Sequence, residues 1–156
     1  MKTLFTFAFL FLGLYSTAQK LDYRKMRDTI CPPICGWRDS LSLTEIIPNM
    51  LAVDTNLLTR KSISRFYEDF ASVEYQLFAY TLDSACMENS AKYSAMAAYH
   101  DPKNYSANWN AAYSYGVIHD CEKMRLYLDR YLEGIPKKYH NEGSKEQVGF
   151  LRARCE

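Results

Sequence analysis

A recurrence of about 34 residues constrains this chain more than any other feature. Pro102 and Pro136 stand 34 residues apart, as do Cys121 and Cys155, and Ala79-Tyr80 returns as Ala112-Tyr113 after 33. That period belongs to stacked helical hairpins, each unable to bury its apolar face alone. It favours a binding or scaffold module over an enzyme.

Helical patterning dominates from residue 62 onward. Ile63, Phe66, Phe70, Val73 and Leu77 recur at spacings of three and four, one face of a helix. Ser62 is a candidate cap for its start. Leu82-Asp83-Ser84 reads as a short turn, and a second, alanine-rich helix is expected over about 85–99, stopped by Asp101-Pro102. A third helix is expected over about 105–118. His119-Asp120 makes the next turn, with Asp120 as N-cap, and a fourth helix follows from Cys121 to about Leu132. Gly134 and Pro136 close it. Ser144 and Gln147 have the spacing of a capping box, which starts a last helix near Lys145 that ends near Cys155.

The segment before these helices is of two kinds. Lys2 and the apolar run from Leu4 to Tyr15 are followed by Ser16-Thr17-Ala18. A spanning helix needs about 20 apolar residues, so this shorter run is expected to be a signal peptide, residues 1–18, cleaved after Ala18. The protein is then exported, periplasmic or extracellular, with no stable membrane insertion after cleavage. Residues 19–61 are expected to be irregular or short-helical, because Pro32, Pro33 and Pro48 preclude one long helix. Leu43 to Leu51 would hold a short apolar helix broken near Pro48, and Leu57 and Leu58 are candidates to begin an extension of the first long helix. This segment would cover one end of the stack or lie in its groove. Residues 62–156 form the repeat domain.

Without residues 1–18 the chain carries 18 basic and 18 acidic side chains. A neutral balance with no long block of one sign gives nucleic-acid binding no electrostatic support. The remaining length suits one core.

Residues 108–133, NWNAAYSYGVIHDCEKMRLYLDRYLE, carry a more specific pattern. They resemble the tetratricopeptide repeat family, with an aromatic near the start of the first helix at Trp109 and small residues at Ala111 and Ala112. Tyr115 and the closing Pro136 fit as well. In the preceding unit Ala79, Ala97 and Pro102 match, with a turn one residue shorter. Met124 and Tyr131 depart from the pattern, standing where small residues are usual. The resemblance covers about residues 70–156. It implies an all-α fold of stacked antiparallel helical hairpins, two hairpins and a C-terminal capping helix. It also implies a protein or peptide partner held non-covalently in a groove lined by the first helices, with no catalytic residues, cofactor or metal. The residues matched to that groove are Gln76, Tyr80, Trp109 and Tyr113. Aromatic residues suit such a surface, since they bury large area with few rotatable bonds; the competing use of these rings is packing between hairpins. Two hairpins make a short groove, suited to an extended peptide or a homotypic partner.

Five cysteines remain after cleavage: Cys31, Cys35, Cys86, Cys121 and Cys155. An exported chain meets an oxidising compartment. Cys86 and Cys121 each open the second helix of a hairpin, and Cys155 closes the last helix, so all three fall at one end of the stack. Cys121–Cys155 is the preferred bridge, Cys86–Cys121 the alternative, and three free thiols the remaining possibility. Cys31-Pro-Pro-Ile-Cys35 has three intervening residues, no preceding strand and two prolines, which suits a local disulfide better than a redox pair. A thiol-disulfide activity at Cys31 and Cys35 stays open as a second function class. A purely structural or self-assembling protein is a third, and an inhibitor or immunity protein is a specialised form of the binding reading.

Catalytic constellations are otherwise missing from the sequence. It has no phosphate-cradling glycine loop and no nucleophile elbow. His100, His119 and His140 have no ligand spacing with the cysteines. Glu68 and Asp69 point about 100° apart on a helix and read as a solvated face. Asn104-Tyr105-Ser106 is a glycosylation sequon, relevant to a eukaryotic secretory route.

Overall fold

The computed structural model describes residues 20–24, 27, 40–136 and 142–156. The expected signal peptide and Cys31-Pro-Pro-Ile-Cys35 lie outside them. The described residues are all-α: α1 is Ser40–Leu51, α2 Arg60–Thr81, α3 Ser84–His100, α4 Tyr105–Val117, α5 Cys121–Gly134 and α6 Glu142–Ala153, with a 3₁₀ turn at Thr55–Leu57. Consecutive helices from α2 to α5 pack on one another through short turns, α1 packs on α2, and α6 returns to α4. The expected arrangement of antiparallel helical hairpins with a last helix closing the stack is therefore observed. None of these helices is long and apolar enough to cross a membrane.

The turns show why the chain reverses where it does. Leu82 ends α2 in the left-handed conformation at φ 56°. Asp83 then caps α3 by accepting the Ala85 N–H at 3.0 Å. Asn104 caps α4 through the Ala107 N–H, and Asp120 caps α5 through the Lys123 N–H, each at 3.2 Å. Each cap satisfies amides that the first helical turn leaves unpaired.

Three expected details differ. Thr59, not Ser62, caps α2, and its Oγ1 accepts the Ser62 N–H at 3.2 Å. This cap starts α2 afresh, so Leu57 and Leu58 are not a helical extension; Leu58 instead bridges to Leu21. Helix α1 runs through Pro48 and ends three residues later. A proline so near the C-terminus interrupts little, because few carbonyls and amides remain to be paired beyond it. Finally, α6 begins at Glu142, which places Ser144 inside the helix rather than at its cap.

The core has three parts. In the first, Tyr23, Leu43, Ile46 and Met50 from the N-terminal segment bury against Phe66, Phe70, Val73 and Leu77 of α2. Tyr23 meets Phe66 edge to face at 5.4 Å, and Phe70 stacks on Tyr93 of α3 at 4.0 Å. The described part of residues 19–61 thus covers the first hairpin and shares its core. In the second, Met124, Leu128 and Tyr131 of α5 meet Ala112 of α4 and Val148 and Leu151 of α6. Met124 and Tyr131, the departures from the repeat pattern, are both buried. They fill the space between α4, α5 and α6 that small residues would leave empty. The third is a seam of Ala97, Ala98 and Ala107, all at 0 % exposure, where α3 and α4 approach closely.

Buried polar groups pin the helices in register. Ser64 of α2 donates to the Ala97 carbonyl of α3 at 2.9 Å. Ser90 of α3 donates to the Ala71 carbonyl of α2 at 3.0 Å. The Nδ2 of fully buried Asn108 donates to the Pro102 and Asn104 carbonyls at 3.1 and 2.9 Å, closing the α3–α4 turn from inside. Each such bond is worth about 0.5–1.5 kcal/mol net.

Candidate functional site

The first helices of the hairpins, α2 and α4, and the last helix, α6, converge on one cleft of about 770 Å³. Each contributes neighbours spaced three or four apart, the stripe a helix turns to one side. From α2 come Ser72, Tyr75 and Gln76; from α4, Trp109, Asn110, Tyr113 and Ser114; from α6, Glu146, Gln147, Phe150 and Leu151. Ser90 and Ser94 of α3 line it from behind.

Three of the four residues matched to the groove come together here: Gln76, Trp109 and Tyr113. Tyr80 does not. It lies one turn past Gln76, about 6 Å further along α2, and is an exposed ring outside the cleft. The sequence reading missed Tyr75, Phe150 and the serines. Tyr75 sits three residues after Ser72 and one before Gln76, so helical spacing from Ser72 could have found it.

The rings are held by their neighbours. Trp109 tilts against Tyr131 at 5.0 Å and is half-buried, so it serves the core and the cleft at once. Tyr113 meets Tyr75 edge-on at 6.0 Å. The neighbouring Tyr113 phenol, with partial burial, pushes the Tyr75 phenol up from its ordinary pKa. Ser90 and Ser114 hydroxyls lie 3.4 Å apart. Ser94 is 1 % exposed, and its Oγ has no hydrogen-bond partner among the described residues.

A disulfide fixes the third wall. Cys121, the first residue of α5, is bonded to Cys155 just beyond α6, with Cα atoms 5.5 Å apart. Cys86 is a free, half-buried thiol, so the alternative Cys86–Cys121 pairing is not the one formed. The Arg125 guanidinium donates to the Cys155 carbonyl at 3.0 Å and adds a second tie at the same end.

Other sequence candidates take structural places. Asp120 caps α5 and pairs with Lys123 at 2.6 Å, which holds its carboxyl below the ordinary range. Glu68 and Asp69 are not a solvated face. Both are half-buried, and burial raises both carboxyls. Asp69 receives a two-pronged ion pair from Arg27 at 2.6 and 2.7 Å, while neighbouring Asn104 and Ser106 act against the rise at Glu68. Asn104, the sequon asparagine, is half-buried as the α4 cap, with Nδ2 on Ser64. No cluster of metal-binding side chains occurs among the described residues.

The fold and cleft define an all-α helical-hairpin protein with a concave, ring-lined face. No family model, curated protein or solved structure matches the chain.

Proposed function

We propose that this is an exported adaptor of the tetratricopeptide-repeat type, which binds an extended segment of a protein or peptide non-covalently in the cleft between α2, α4 and α6. The observation that carries the reading is the convergence of Tyr75, Trp109, Tyr113 and Phe150, from three different helices, on one open cleft. Pre-positioned aromatic residues supply contact area at low entropic cost, and uncharged amides such as Gln76, Asn110 and Gln147 suit a peptide main chain. The Cys121–Cys155 bridge accords with an oxidising compartment outside the cytoplasm. The chemistry is recognition, with no catalytic group assigned.

Site-directed photo-crosslinking in the source cell tests this. A benzoyl-phenylalanine at position 113 or 75 should yield the same protein adduct, and one at exposed Leu82, outside the cleft, should not. Equal adducts from all three positions, or none from the two cleft positions, would overturn the proposal. An adduct with a second copy of the chain would make self-assembly the function.

A further inference from the structure

Resting on that reading, we infer that the cleft recognises a cationic side chain, a lysine or arginine carried on an extended peptide. Three observations point the same way. The first is charge. Among the described residues lining the cleft Glu146 alone is charged, and none is a lysine, arginine or histidine. An anionic peptide would enter with nothing to pair against, whereas a cation finds a carboxylate.

The second is the state of the rings. The face of an aromatic ring attracts a cation. Elsewhere on the molecule such faces are already occupied by the chain's own cations, Lys123 over Tyr115 at 5.0 Å and Arg130 over Tyr127 at 5.4 Å, and on the cleft wall Arg154 lies over Phe150 at 5.0 Å. Tyr75, Trp109 and Tyr113 have no such cation among the described residues. They are braced by other rings instead: Tyr75 and Tyr113 meet edge to face, which leaves the outer faces of the pair, and Trp109 tilts on Tyr131. The cleft thus presents three braced rings without a cation of their own, beside one whose partner is a guanidinium.

The third is Ser94. Its buried hydroxyl oxygen lines the cleft without a hydrogen-bond partner among the described residues. An ammonium or guanidinium N–H is a donor that such an oxygen accepts. Glu146, the faces of Tyr75, Trp109 and Tyr113 and the Ser94 oxygen together form an acceptor-rich part of the cleft, apart from Phe150 with its guanidinium. Gln76, Asn110 and Gln147 are left for the peptide backbone.

The test uses capped octapeptides of random sequence, panned against the immobilised full chain. Recovered peptides are resynthesised and titrated by calorimetry. Recovered sequences should be rich in lysine or arginine and poor in aspartate and glutamate. Replacing the basic residue by norleucine, which keeps the stem and removes the charge, should weaken binding about tenfold, between the values for an exposed and a desolvated cation–π contact. Glu146→Gln, on an exposed position of α6, should weaken it several-fold and flatten its salt dependence. Peptides that lose binding in a folded Tyr113→Ala variant but tolerate norleucine would overturn this inference and leave the cleft as a peptide site. Free tetramethylammonium binding in place of any peptide would also overturn it, in favour of a small organic cation. Recovery of no peptide, or of peptides indifferent to Tyr113→Ala, would overturn the inference and the proposed function together.

Discussion

The hydroxyl of Ser62 accepts the backbone N–H of Tyr23 at 3.1 Å and donates to Asp22 at 3.3 Å. It thus ties the N-terminal segment to the first turn of α2, next to a ring that is fully buried. Ser62→Ala should leave that amide bare and cost about 1–3 kcal/mol. Thr59→Ala, which removes the real helix cap, should cost about 1 kcal/mol. Chemical denaturation of both variants checks the order. A smaller loss at Ser62 than at Thr59 would mean that solvent reaches the Tyr23 amide.

The disulfide closes a loop of 34 residues that contains α5 and α6. On the chain-entropy account its removal costs about 3–4 kcal/mol. A Cys121→Ser/Cys155→Ser variant should show that loss, with faster amide exchange concentrated in Glu142–Ala153. Cys86→Ser, at a half-buried free thiol, should change stability by less than about 1 kcal/mol.

Trp109 and Tyr113 separate core from cleft. Trp109→Ala should cost about 2–3 kcal/mol, below the 3–5 of a fully buried ring, because Trp109 is half-buried. Tyr113→Ala loses its contact with Tyr75, worth about 0.5–1.5 kcal/mol, and part of its packing on the second core; it should cost less stability than Trp109→Ala and weaken binding more. Comparable large losses of melting temperature in both would assign both rings to the core.

Glu74 of α2 is 4 % exposed, with Asn89 donating to its carboxylate at 3.3 Å. Burial raises its pKa above the ordinary 4.5. The folded state therefore holds this proton more tightly than the unfolded one. The group's contribution to stability is fully present below 4.5 and is lost as pH rises through the folded value. Glu74→Gln keeps an acceptor for Asn89 and cannot ionise. Its stability relative to the parent should rise with pH across that window and level off above it. A difference independent of pH would show that Glu74 titrates normally.

Leu82 holds a left-handed backbone at φ 56° while its side chain is 76 % exposed. It bears the conformational cost and buries little in return. Leu82→Gly should stabilise by about 0.5–1 kcal/mol, since glycine adopts this conformation without a Cβ clash. A melting temperature that falls would mean the leucine makes contacts that offset its strain.

Much of the helical frame was legible because it is written locally. The stripe from Phe66 to Leu77, the Asp120 cap and the Pro102 stop each depend on residues within a turn or two. What escaped depends on distant partners. Ser62 and Thr59 are both competent caps, and only Tyr23, 39 residues away from Ser62, explains why Ser62 does something else. Glu68 and Asp69 looked solvated because Arg27 is 42 residues from Asp69. The cleft was half legible. Gln76, Trp109 and Tyr113 follow from the repeat register. The wall of Glu146, Gln147, Phe150 and Leu151 depends on the angle at which α6 returns, which the bridge at Cys155 and packing on Met124 decide.

The alanine seam between α3 and α4 has a bearing on how such a cleft can diversify. Helices α2 and α4 stand on either side of α3, so the thickness of the α3–α4 contact sets how far apart the two ring-bearing walls are. Ala97, Ala98 and Ala107 are all buried, and a larger side chain at the seam would have to push the helices apart. A mutational scan should then divide the molecule into two kinds of position. At Tyr75, Gln76, Tyr113 and Phe150 many residues would be tolerated, and each would alter which ligand is preferred. At the alanines few would be tolerated, and those few would change the width of the opening without ever touching what it holds.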